Sequence, residues 1–384
     1  MPKLLIATTV PMMMRGFLLP FAGHFKALGW QVDAMMSPAD SPLNRWDECQ
    51  EIFDHIWPIN WTRSPFSPSN FRLAPKQVKA AVSAGNYDIV HVHSPIASFV
   101  TRYALKDLPK RPKVIYTTHG FHFHKGANPV INEVYKRLER IAGPWTDKLV
   151  VINHEDEAAA KRYTIVPEEK ILYMPGIGVD VEKYRAAHVT KADTDAIYKE
   201  LGLNETDKLI LMIAEFNPGK RHRDALSALK ATGRKDIIYA FAGLGPLEET
   251  AKKQAADLGL GEQIRMLGYR KDIPVLLKAS NALLLPSERE GLPRSVLEAM
   301  CAATPVISTE IRGVEDLLAN NCGLMTKVGD VEAIAKALVW IADRPEEAKE
   351  LGLRGQEKMK LFSLDNVIKM HEDLYAEVLG DSIK

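Results

Sequence analysis

The sequence has few cysteines and no long hydrophobic run. Its 384 residues include three cysteines, Cys49, Cys301 and Cys322, which form no CxxC pair. An odd and scattered set of this kind argues against a disulfide framework and a structural zinc site, and it fits a reducing cytosol. No apolar run reaches the ~18 residues needed to cross a bilayer. We therefore expect a cytoplasmic protein, with the inner face of the membrane as a second location to test.

Excess charge of one sign is also missing. Fifty Lys and Arg residues face 49 Asp and Glu residues, for a formal net charge of +1. This balance gives no general attraction to nucleic acid, so any basic surface must be local. Low-complexity tracts and solenoid repeats are absent as well, and the composition is that of a globular protein of about two domains.

Short apolar runs alternate with amphipathic stretches along the whole chain. This pattern is typical of parallel sheets with crossover helices, and it predicts an α/β protein with two doubly wound, Rossmann-like sheets. The predicted strands are residues 3–10, 30–36, 89–93, 113–118, 148–153, 171–174, 209–214, 237–242, 264–267, 282–285, 305–308 and 323–326. The predicted domains are 1–180 and 207–362, separated by a linker at 181–206, with a C-terminal helix near 363–380 that crosses back to the first domain.

The most informative stretch lies between the strand at 282–285 and a helix that follows it. Glu290 and Glu298 bracket a turn formed by Gly291, Leu292 and Pro293, and Pro293 suits the first position of the helix. A helix N-terminus favours a phosphate group, whereas carboxylates accept hydrogen bonds from hydroxyls. The combination fits a nucleotide sugar better than a bare phosphate. A solvated helix start with acidic residues remains the alternative at this point.

Three further loops follow strands of the second half. Lys220 and Arg221 begin a helix after the first strand, Gly243-Leu244-Gly245 follows the second, and Tyr269-Arg270 follows the third. Open α/β sheets bind ligands at the carboxyl ends of their strands. The four loops together therefore predict one ligand site, in which the cations meet a diphosphate.

The first half is rich in histidines near two strand ends, at positions 91, 93, 119, 122 and 124. Zinc binding is one explanation, but no HExxH spacing is present and we expect no metal. Structural hydrogen bonding is the other, and it suits His91. The sequence Asp193-Thr194-Asp195 also spells a DxD metal motif, but it stands among polar residues without a preceding strand, which favours solvated surface.

The order of these motifs resembles that of retaining glycosyltransferases of family 4, which have two Rossmann-like domains facing a central cleft in the GT-B arrangement. The resemblance covers nearly the whole chain. It implies that Glu290 contacts hydroxyls of the donor sugar, that Glu298 contacts the ribose, and that Lys220 neutralises the diphosphate. His119, in a Thr-His-Gly setting, looks like the histidine that reaches the transferred sugar. The catalytic group is then Lys220, Glu290 and His119, without a cofactor or a metal.

The same resemblance assigns residues to the two substrates. Residues 1–180 would bind the acceptor and residues 207–362 the UDP-sugar. The implied donor-binding residues are Arg221, Gly245, Tyr269, Arg270, Gly291, Leu292, Pro293, Arg294, Ser295 and Glu298. The expected acceptor-binding residues are Arg15, Arg63, His93, His122 and Lys125.

Four segments, at 17–21, 118–123, 152–156 and 175–180, are similar to one branch of the family in particular. That branch makes capsules, exopolysaccharides and lipid-linked oligosaccharides, often by adding N-acetylated sugars to a polyprenyl-diphosphate acceptor. Arg15, Arg63 and Lys125 lie on predicted loops and either converge on the acceptor's diphosphate or are scattered surface cations. Met12, Met13 and Met14 are the candidate contacts for a lipid-linked acceptor or a membrane surface.

Two features depart from the family pattern. Glu215 stands where many members carry an arginine, which leaves Arg221 or Arg294 to replace the missing cation. The first loop also lacks the paired glycines of many relatives. Two other kinds of protein have the same α/β doubling, a sugar-nucleotide epimerase of the GT-B type and a non-catalytic sugar-binding protein.

Overall fold

The computed structural model describes residues 1–38, 45–64, 67–124, 128–185 and 188–380. The chain divides into two compact units, unit 1 formed by Met1–Ile177 and Val367–Lys384, and unit 2 formed by Gly178–Asn366. Each unit is built on one parallel sheet with helices as crossover connections. No helix in the described ranges combines the length and the hydrophobicity that a bilayer span requires.

Unit 1 contains a seven-stranded sheet in the order β3-β2-β1-β4-β5-β6-β7. Its strands are β1 (Lys3–Ala7), β2 (Gln31–Met36), β3 (Ile56–Pro58), β4 (Ile89–Val92), β5 (Lys113–Thr118), β6 (Lys148–Val151) and β7 (Ile171–Tyr173). The central strands are buried on both faces, as expected for a parallel sheet covered by helices. Its switch in strand order falls between β1 and β4.

The helices of unit 1 connect these strands and cover both faces. They are α1 (Pro11–Met13), α2 (Leu19–Ala27), α3 (Asp47–Ile52), α4 (Pro68–Arg72), α5 (Ala74–Gly85), α6 (Pro95–Leu105), α7 (Pro129–Ala142) and α8 (His154–Arg162). A π-helical turn, Met14–Leu18, joins α1 to α2.

Unit 2 contains a six-stranded sheet in the order β10-β9-β8-β11-β12-β13. Its strands are β8 (Lys208–Ile213), β9 (Ile237–Ala242), β10 (Ile264–Gly268), β11 (Ala282–Leu285), β12 (Val306–Thr309) and β13 (Leu324–Thr326). All strand pairs are parallel, and the strand order switches between β8 and β11.

The helices of unit 2 enclose two hydrophobic clusters, one on each face of the sheet. They are α9 (Val181–Tyr184), α10 (Lys191–Glu200), α11 (His222–Thr232), α12 (Glu248–Asp257), α13 (Ile273–Ala279), α14 (Arg294–Cys301), α15 (Val314–Leu318), α16 (Val331–Asp343) and α17 (Pro345–Lys358). The last helix, α18 (Leu364–Leu379), begins in unit 2 and belongs to unit 1 from Val367 onward.

The segment expected to be a linker, residues 181–206, carries α9 and α10. Thr190 and Asp193 form a capping box at the start of α10, and Ile197 and Leu201 are buried in a hydrophobic cluster of unit 2. The structure therefore places this segment within unit 2. Its polar start belongs to the cap and exposed face of an amphipathic helix, which a composition-based interpretation mistakes for a linker.

Candidate active site

The candidate donor site lies where the strand order of unit 2 switches. Strands β8 and β11 are neighbours, and the chain proceeds outward from them in opposite directions. The loops that follow them leave the sheet at the same edge, which is where α/β sheets form a ligand crevice. Lys220 follows β8 and Glu290 follows β11. The topology therefore brings together two loops that are about 70 residues apart in sequence.

A tight turn positions Lys220. The side chain of Asn217 accepts a hydrogen bond from the backbone N–H of Lys220 at 3.2 Å, and Pro218–Lys220 form one 3-10 turn. Arg221 then adopts a left-handed conformation with φ of 53°, and α11 begins at His222. The reversal fixes the direction in which the Lys220 side chain leaves the backbone.

Lys220 and Glu290 form a direct ion pair. Lys220 Nζ lies 2.5 Å from Glu290 Oε1, and the side chains are 25% and 12% exposed. Two cations or two carboxylates at this distance would repel each other, whereas this pair is held in place and half-shielded from water. Both groups are thus preorganised, and both remain close enough to solvent to meet a ligand.

Glu298 is the more buried carboxylate of the turn. It accepts a hydrogen bond from Arg294 Nε at 2.8 Å, one helical turn earlier on α14, and it also hydrogen-bonds the Tyr184 hydroxyl. Burial raises the pKa of Glu298, and the Arg294 guanidinium and Tyr184 oppose that rise. The helix begins at Arg294, with Pro293 as the N-cap residue and no side chain capping it. Arg294 is therefore paired with Glu298, and its role as a substitute phosphate cation stays a prediction.

The remaining predicted cations are also engaged with carboxylates. Arg221 Nε lies 2.5 Å from Asp224 and its Nη1 lies 3.4 Å from Glu288. Arg270 pairs with both Asp272 and Glu200, each at 2.5 Å. Arg270 thus links its loop to α10, a structural contact that the sequence interpretation did not anticipate. Its role as a donor-binding residue stays a prediction.

His222 follows Arg221 but adds no charge to the site. Its ring stacks on Phe216 at 4.1 Å, and burial together with the nearby charge of Lys220 lowers the pKa of His222 to about 4. The ring is accordingly neutral at physiological pH. Lys220 then carries the positive charge of this turn that faces Glu290.

The glycine loop after β9 is tightly fitted against the loop after β8. A Cβ atom on Gly243 would lie 2.0 Å from the carbonyl oxygen of Ala214, and one on Gly245 would lie 2.6 Å from the backbone of Phe216. Glycine is therefore required here for close approach of two backbone segments. Leu244 of this loop is 57% exposed, and Tyr269 of the loop after β10 is 74% exposed, so an apolar surface borders the crevice.

Sequence reasoning missed a second support for the glutamate turn. Arg312 is buried after β12 and donates from Nε to the carbonyl oxygen of Glu290 at 3.3 Å. Gly313, with φ of 75°, approaches the turn so closely that a Cβ atom would lie 1.9 Å from the oxygen of Gly291. The available signal was the position of the Arg-Gly pair directly after a strand adjacent to β11.

Four histidines of unit 1 form a continuous stack. The rings of His91 and His93, at the end of β4, are 4.1 Å apart, and the ring of His119, after β5, lies 5.5 Å from His93. His93 Nδ1 is 3.3 Å from His119 Nε2. His371 of α18 lies 5.7 Å from His91. The predicted neighbours are therefore joined by a histidine from a distant part of the chain.

Burial keeps this histidine stack neutral. It lowers the pKa of His119 and of His371 to about 4 and holds the pKa values of His91 and His93 well below 6.5, with smaller contributions from the neighbouring histidines. A hydrogen bond between two ring nitrogens needs one nitrogen without a proton. His119 is thus a neutral hydrogen-bonding group at physiological pH.

His91 anchors the stack. Its Nδ1 lies 2.7 Å from the Tyr375 hydroxyl and its Nε2 lies 2.7 Å from Thr117 Oγ1. The structural interpretation of His91 is confirmed. Within the described ranges, no group of three or more His, Cys, Asp or Glu side chains has an arrangement that could hold a metal ion.

The other acceptor candidates lie on separate elements. Arg15 is on the π-helical turn and pairs with Glu48 at 2.9 Å, Arg63 is exposed in the loop after β3, and the ring of His122 packs edge-on against Tyr135 at 5.2 Å. Lys125 lies outside the described residues.

The three methionines of the first loop do not act as one surface. Met12 is 50% exposed, whereas Met14 is buried in unit 1. Met14 is therefore a core residue, and the prediction of a contact with lipid is wrong for it.

The DxD sequence has a structural explanation. Asp193 closes the capping box of α10, and Asp195 pairs with Lys191 at 2.8 Å, one turn away. The interpretation as helix surface fits these contacts, and the pair of carboxylates is explained without a metal role.

The two parallel sheets, with a lysine and two glutamates at the switch point of the second, have the architecture of the GT-B class. The family model described as glycosyl transferases group 1 matches residues 193–358, and that of glycosyltransferase family 4 matches residues 17–183. The chain is 32% identical to EpsD of Bacillus subtilis (strain 168) over 100% of this chain and 98% of EpsD. The chain belongs to glycosyltransferase family 4.

Two further comparisons bear on activity and fold. The chain is 31% identical over 76% of each sequence to the UDP-Gal:alpha-D-GlcNAc-diphosphoundecaprenol alpha-1,3-galactosyltransferase of Escherichia coli. The UDP complex of Alr3699/HepE from Anabaena superimposes with a TM-score of 0.82 at 17% identity, covering 98% of this chain and all of that one. The latter likeness shows the fold, and the predicted GT-B architecture is confirmed.

Proposed function

We propose that the protein transfers a sugar from a UDP-sugar to an acceptor hydroxyl with retention of anomeric configuration and without a metal ion. The acceptor we propose is a polyprenyl-diphosphate-linked saccharide of cell-surface glycan synthesis, and the sugar is a hexose or an N-acetylhexosamine. The observation that carries the proposal is the ion pair between Lys220 and Glu290 at the switch point of unit 2. It sets a cation beside a carboxylate that could accept hydrogen bonds from sugar hydroxyls.

The pair matches the two parts of a nucleotide sugar. Lys220 would bind the diphosphate and release Glu290, whose carboxylate would then accept hydrogen bonds from sugar hydroxyls. Beside them, the uncapped start of α14 offers backbone amides to the same phosphate. These groups supply the positive charge that a metal ion provides in other transferases, which supports the metal-independent proposal.

We propose that Glu290 orients the sugar and does not attack it. In the proposed step, the bond from the anomeric carbon to the phosphate oxygen breaks, and the acceptor oxygen bonds to the same face of that carbon. The acceptor's proton passes to the departing phosphate. A double displacement would need the Glu290 carboxylate against the anomeric carbon, whereas the family resemblance places it on the hydroxyls of the donor sugar. Trapping of a glycosylated Glu290 by mass spectrometry would contradict this view.

His119 is proposed to contact the transferred sugar. Its pKa of about 4 means that it does so as a neutral ring, which can accept or donate one hydrogen bond but does not act as a cationic acid. His93 holds one of its nitrogens. The other nitrogen is then the one that a sugar hydroxyl would meet.

The proposed acceptor is supported by the relatives. The Escherichia coli enzyme is named for a GlcNAc-diphosphoundecaprenol acceptor. An N-acetyl-alpha-D-glucosaminyl L-malate synthase of Bacillus anthracis is 26% identical over 86% of this chain. The name of the first relative indicates a lipid-linked acceptor, and the name of the second indicates a small hydroxy acid. Both kinds of acceptor can be tested with this protein.

The test is a screen in two steps. Thermal shift with UDP-, ADP- and GDP-sugars identifies the base and the sugar, because binding stabilises the folded state in proportion to occupancy. UDP release with the selected donor is then measured with GlcNAc-diphosphoundecaprenol and with L-malate. We expect a UDP-sugar and the lipid-linked acceptor to be preferred. Preference for ADP- or GDP-sugars, or formation of an epimer without acceptor, would overturn the proposal.

Glu298→Gln is expected to raise KM for the donor about tenfold with a smaller change in kcat. A charged hydrogen bond contributes about 1.5 to 3 kcal/mol, and glutamine cannot neutralise Arg294. The binding of UDP and of the UDP-sugar is measured by calorimetry. The matched control is Glu350→Gln, which removes the carboxylate of another Arg-Glu pair, with Arg354 on α17. If Glu298→Gln leaves donor binding unchanged, the role of Glu298 is only to stabilise α14.

A further inference from the structure

Helix α7 of unit 1 carries an exposed apolar stripe. Val130 is 72% exposed, Ile131 53%, Val134 52% and Ile141 54%. At 3.6 residues per turn, Val130, Val134 and Ile141 fall within about 40° of one another around the helix. Single exposed apolar residues are ordinary, but three on one face of one helix, with Ile131 beside them, are not.

The opposite face of α7 is fixed to the protein. Glu139 is buried and accepts a hydrogen bond from Arg102 of α6 at 2.8 Å and another from the Tyr116 hydroxyl at 3.3 Å. Asn128 caps the first turn by accepting from the N–H groups of Val130 and Ile131. The helix is thus anchored in this orientation, and the apolar stripe is its outward face.

Cations border the stripe. Arg137 is 73% exposed and Arg140 is exposed as well, both on one side of the stripe. Lys136 and Arg137 share one acidic partner, Glu133, at 2.8 and 3.1 Å. The exposed surface of α7 therefore has a net positive charge, although the whole chain is nearly neutral.

Aromatic residues and a further lysine lie next to the C-terminal end of α7. Tyr103 of α6 is 45% exposed, and its ring lies 6.0 Å from that of Trp145. Lys106 Nζ lies 4.9 Å from the centre of the Tyr103 ring and 5.4 Å from that of Trp145. Amphipathic rings beside lysines are typical of the interface between lipid tails and headgroups.

We propose that this face, formed by the apolar stripe of α7 with its bordering cations, docks on an anionic lipid surface. The apolar side chains enter the boundary between headgroups and acyl chains, and the arginines meet lipid phosphates. A symmetric contact between two copies of the chain is the competing occupant. It would bring the same arginines of both copies together, and this repulsion favours the lipid surface.

The docking face extends the proposed function, since it would bring the enzyme to a lipid-linked acceptor. Its test needs neither donor nor acceptor, so its failure can be told apart from failure of the transfer reaction. The full-length protein is sedimented with vesicles of phosphatidylcholine alone and with vesicles containing about one third phosphatidylglycerol. We expect binding to the anionic vesicles that weakens as salt is added.

The decisive variant is Val134→Asp combined with Ile141→Asp. Both positions are exposed, so the fold is retained, and we expect vesicle affinity to fall at least tenfold. The control is Leu353→Asp, at a 49% exposed leucine of unit 2 on α17, which should leave vesicle binding unchanged. Equal binding by the double variant overturns the proposal, as does absence of binding by the unmodified protein. A dimer that the double variant converts to a monomer would identify a second copy as the occupant.

Discussion

Lys220→Ala is expected to lower the rate of sugar transfer by a factor of about 10² to 10³ while the protein stays folded. The lysine is held 2.5 Å from Glu290, so its charge is already in place when the diphosphate begins to leave. A group that is preorganised in this way stabilises developing charge without further reorganisation. Its removal therefore acts on turnover more than on folding.

The measurement is UDP release under single-turnover conditions, with thermal unfolding recorded for every variant. Lys230→Ala is the matched control, because Lys230 is an exposed lysine near the C-terminal end of α11, the helix that follows the Lys220 turn. The control should retain the activity and melting temperature of the unmodified protein. Equal loss of activity in both variants, or a turnover that Lys220→Ala leaves intact, would remove Lys220 from the proposed mechanism.

A second variant distinguishes the role of Glu290 from that of Lys220. Glu290→Gln preserves the size of the side chain and leaves Lys220 without its counter-charge. If Glu290 orients sugar hydroxyls, this variant loses transfer but still binds UDP, whereas Lys220→Ala weakens binding of UDP itself. The two variants therefore report on different parts of the donor.

The sheets were predictable because their strands are buried on both faces and read as short apolar runs. All twelve predicted strands are confirmed, and every end except that of β1 lies within two residues of its predicted position. β1 is the largest exception, since it ends at Ala7, where Thr8 Oγ1 bonds the carbonyl oxygen of Val10 to form a turn. The strand that was missed, β3, has three residues and ends in Pro58, which only an edge strand tolerates.

The contacts between residues of the candidate site were less predictable than the position of the site. Periodicity shows that the loops carrying Lys220 and Glu290 follow strands, and parallel strands place both loops at one edge. Which loops touch depends on strand order, since only neighbours such as β8 and β11 bring their loops together. Arg312 was missed for the same reason. It acts through a backbone carbonyl, so its position after β12 could be interpreted only once the strand order was known.

The histidine stack shows a second limit. His91, His93 and His119 follow adjacent strands, so their proximity could be expected. The prediction that the C-terminal helix crosses back did not specify what the helix delivers. The structure places His371 and Tyr375 of α18 against this group, more than 250 residues away in sequence from either strand. Long-range packing of one helix therefore completes the electrostatics of unit 1.

Acidification is expected to destabilise unit 1 well above the pH at which carboxylates titrate. An unfolded histidine titrates near 6.5, whereas the pKa values of folded His119 and His371 are about 4. Between these values the unfolded chain binds more protons, so the free energy of unfolding falls as the pH falls. The loss is about 1.4 kcal/mol per pH unit for each histidine, or about 3 kcal/mol for these two at about pH 5.5. His91 and His93 act in the same direction.

Tryptophan fluorescence during urea unfolding reports on the stability of unit 1. Five of the six tryptophans, at positions 30, 46, 57, 61 and 145, lie in unit 1. We expect the unfolding midpoint to fall markedly between about pH 7.5 and about pH 5.5. His371→Phe should reduce that difference by roughly the contribution of one histidine, because phenylalanine cannot take up a proton. This expectation does not depend on how the substitution changes stability at neutral pH. His188→Gln, at an exposed loop histidine, should leave the difference unchanged. An equal pH dependence in all three proteins would mean that the stack does not control the acid stability of unit 1.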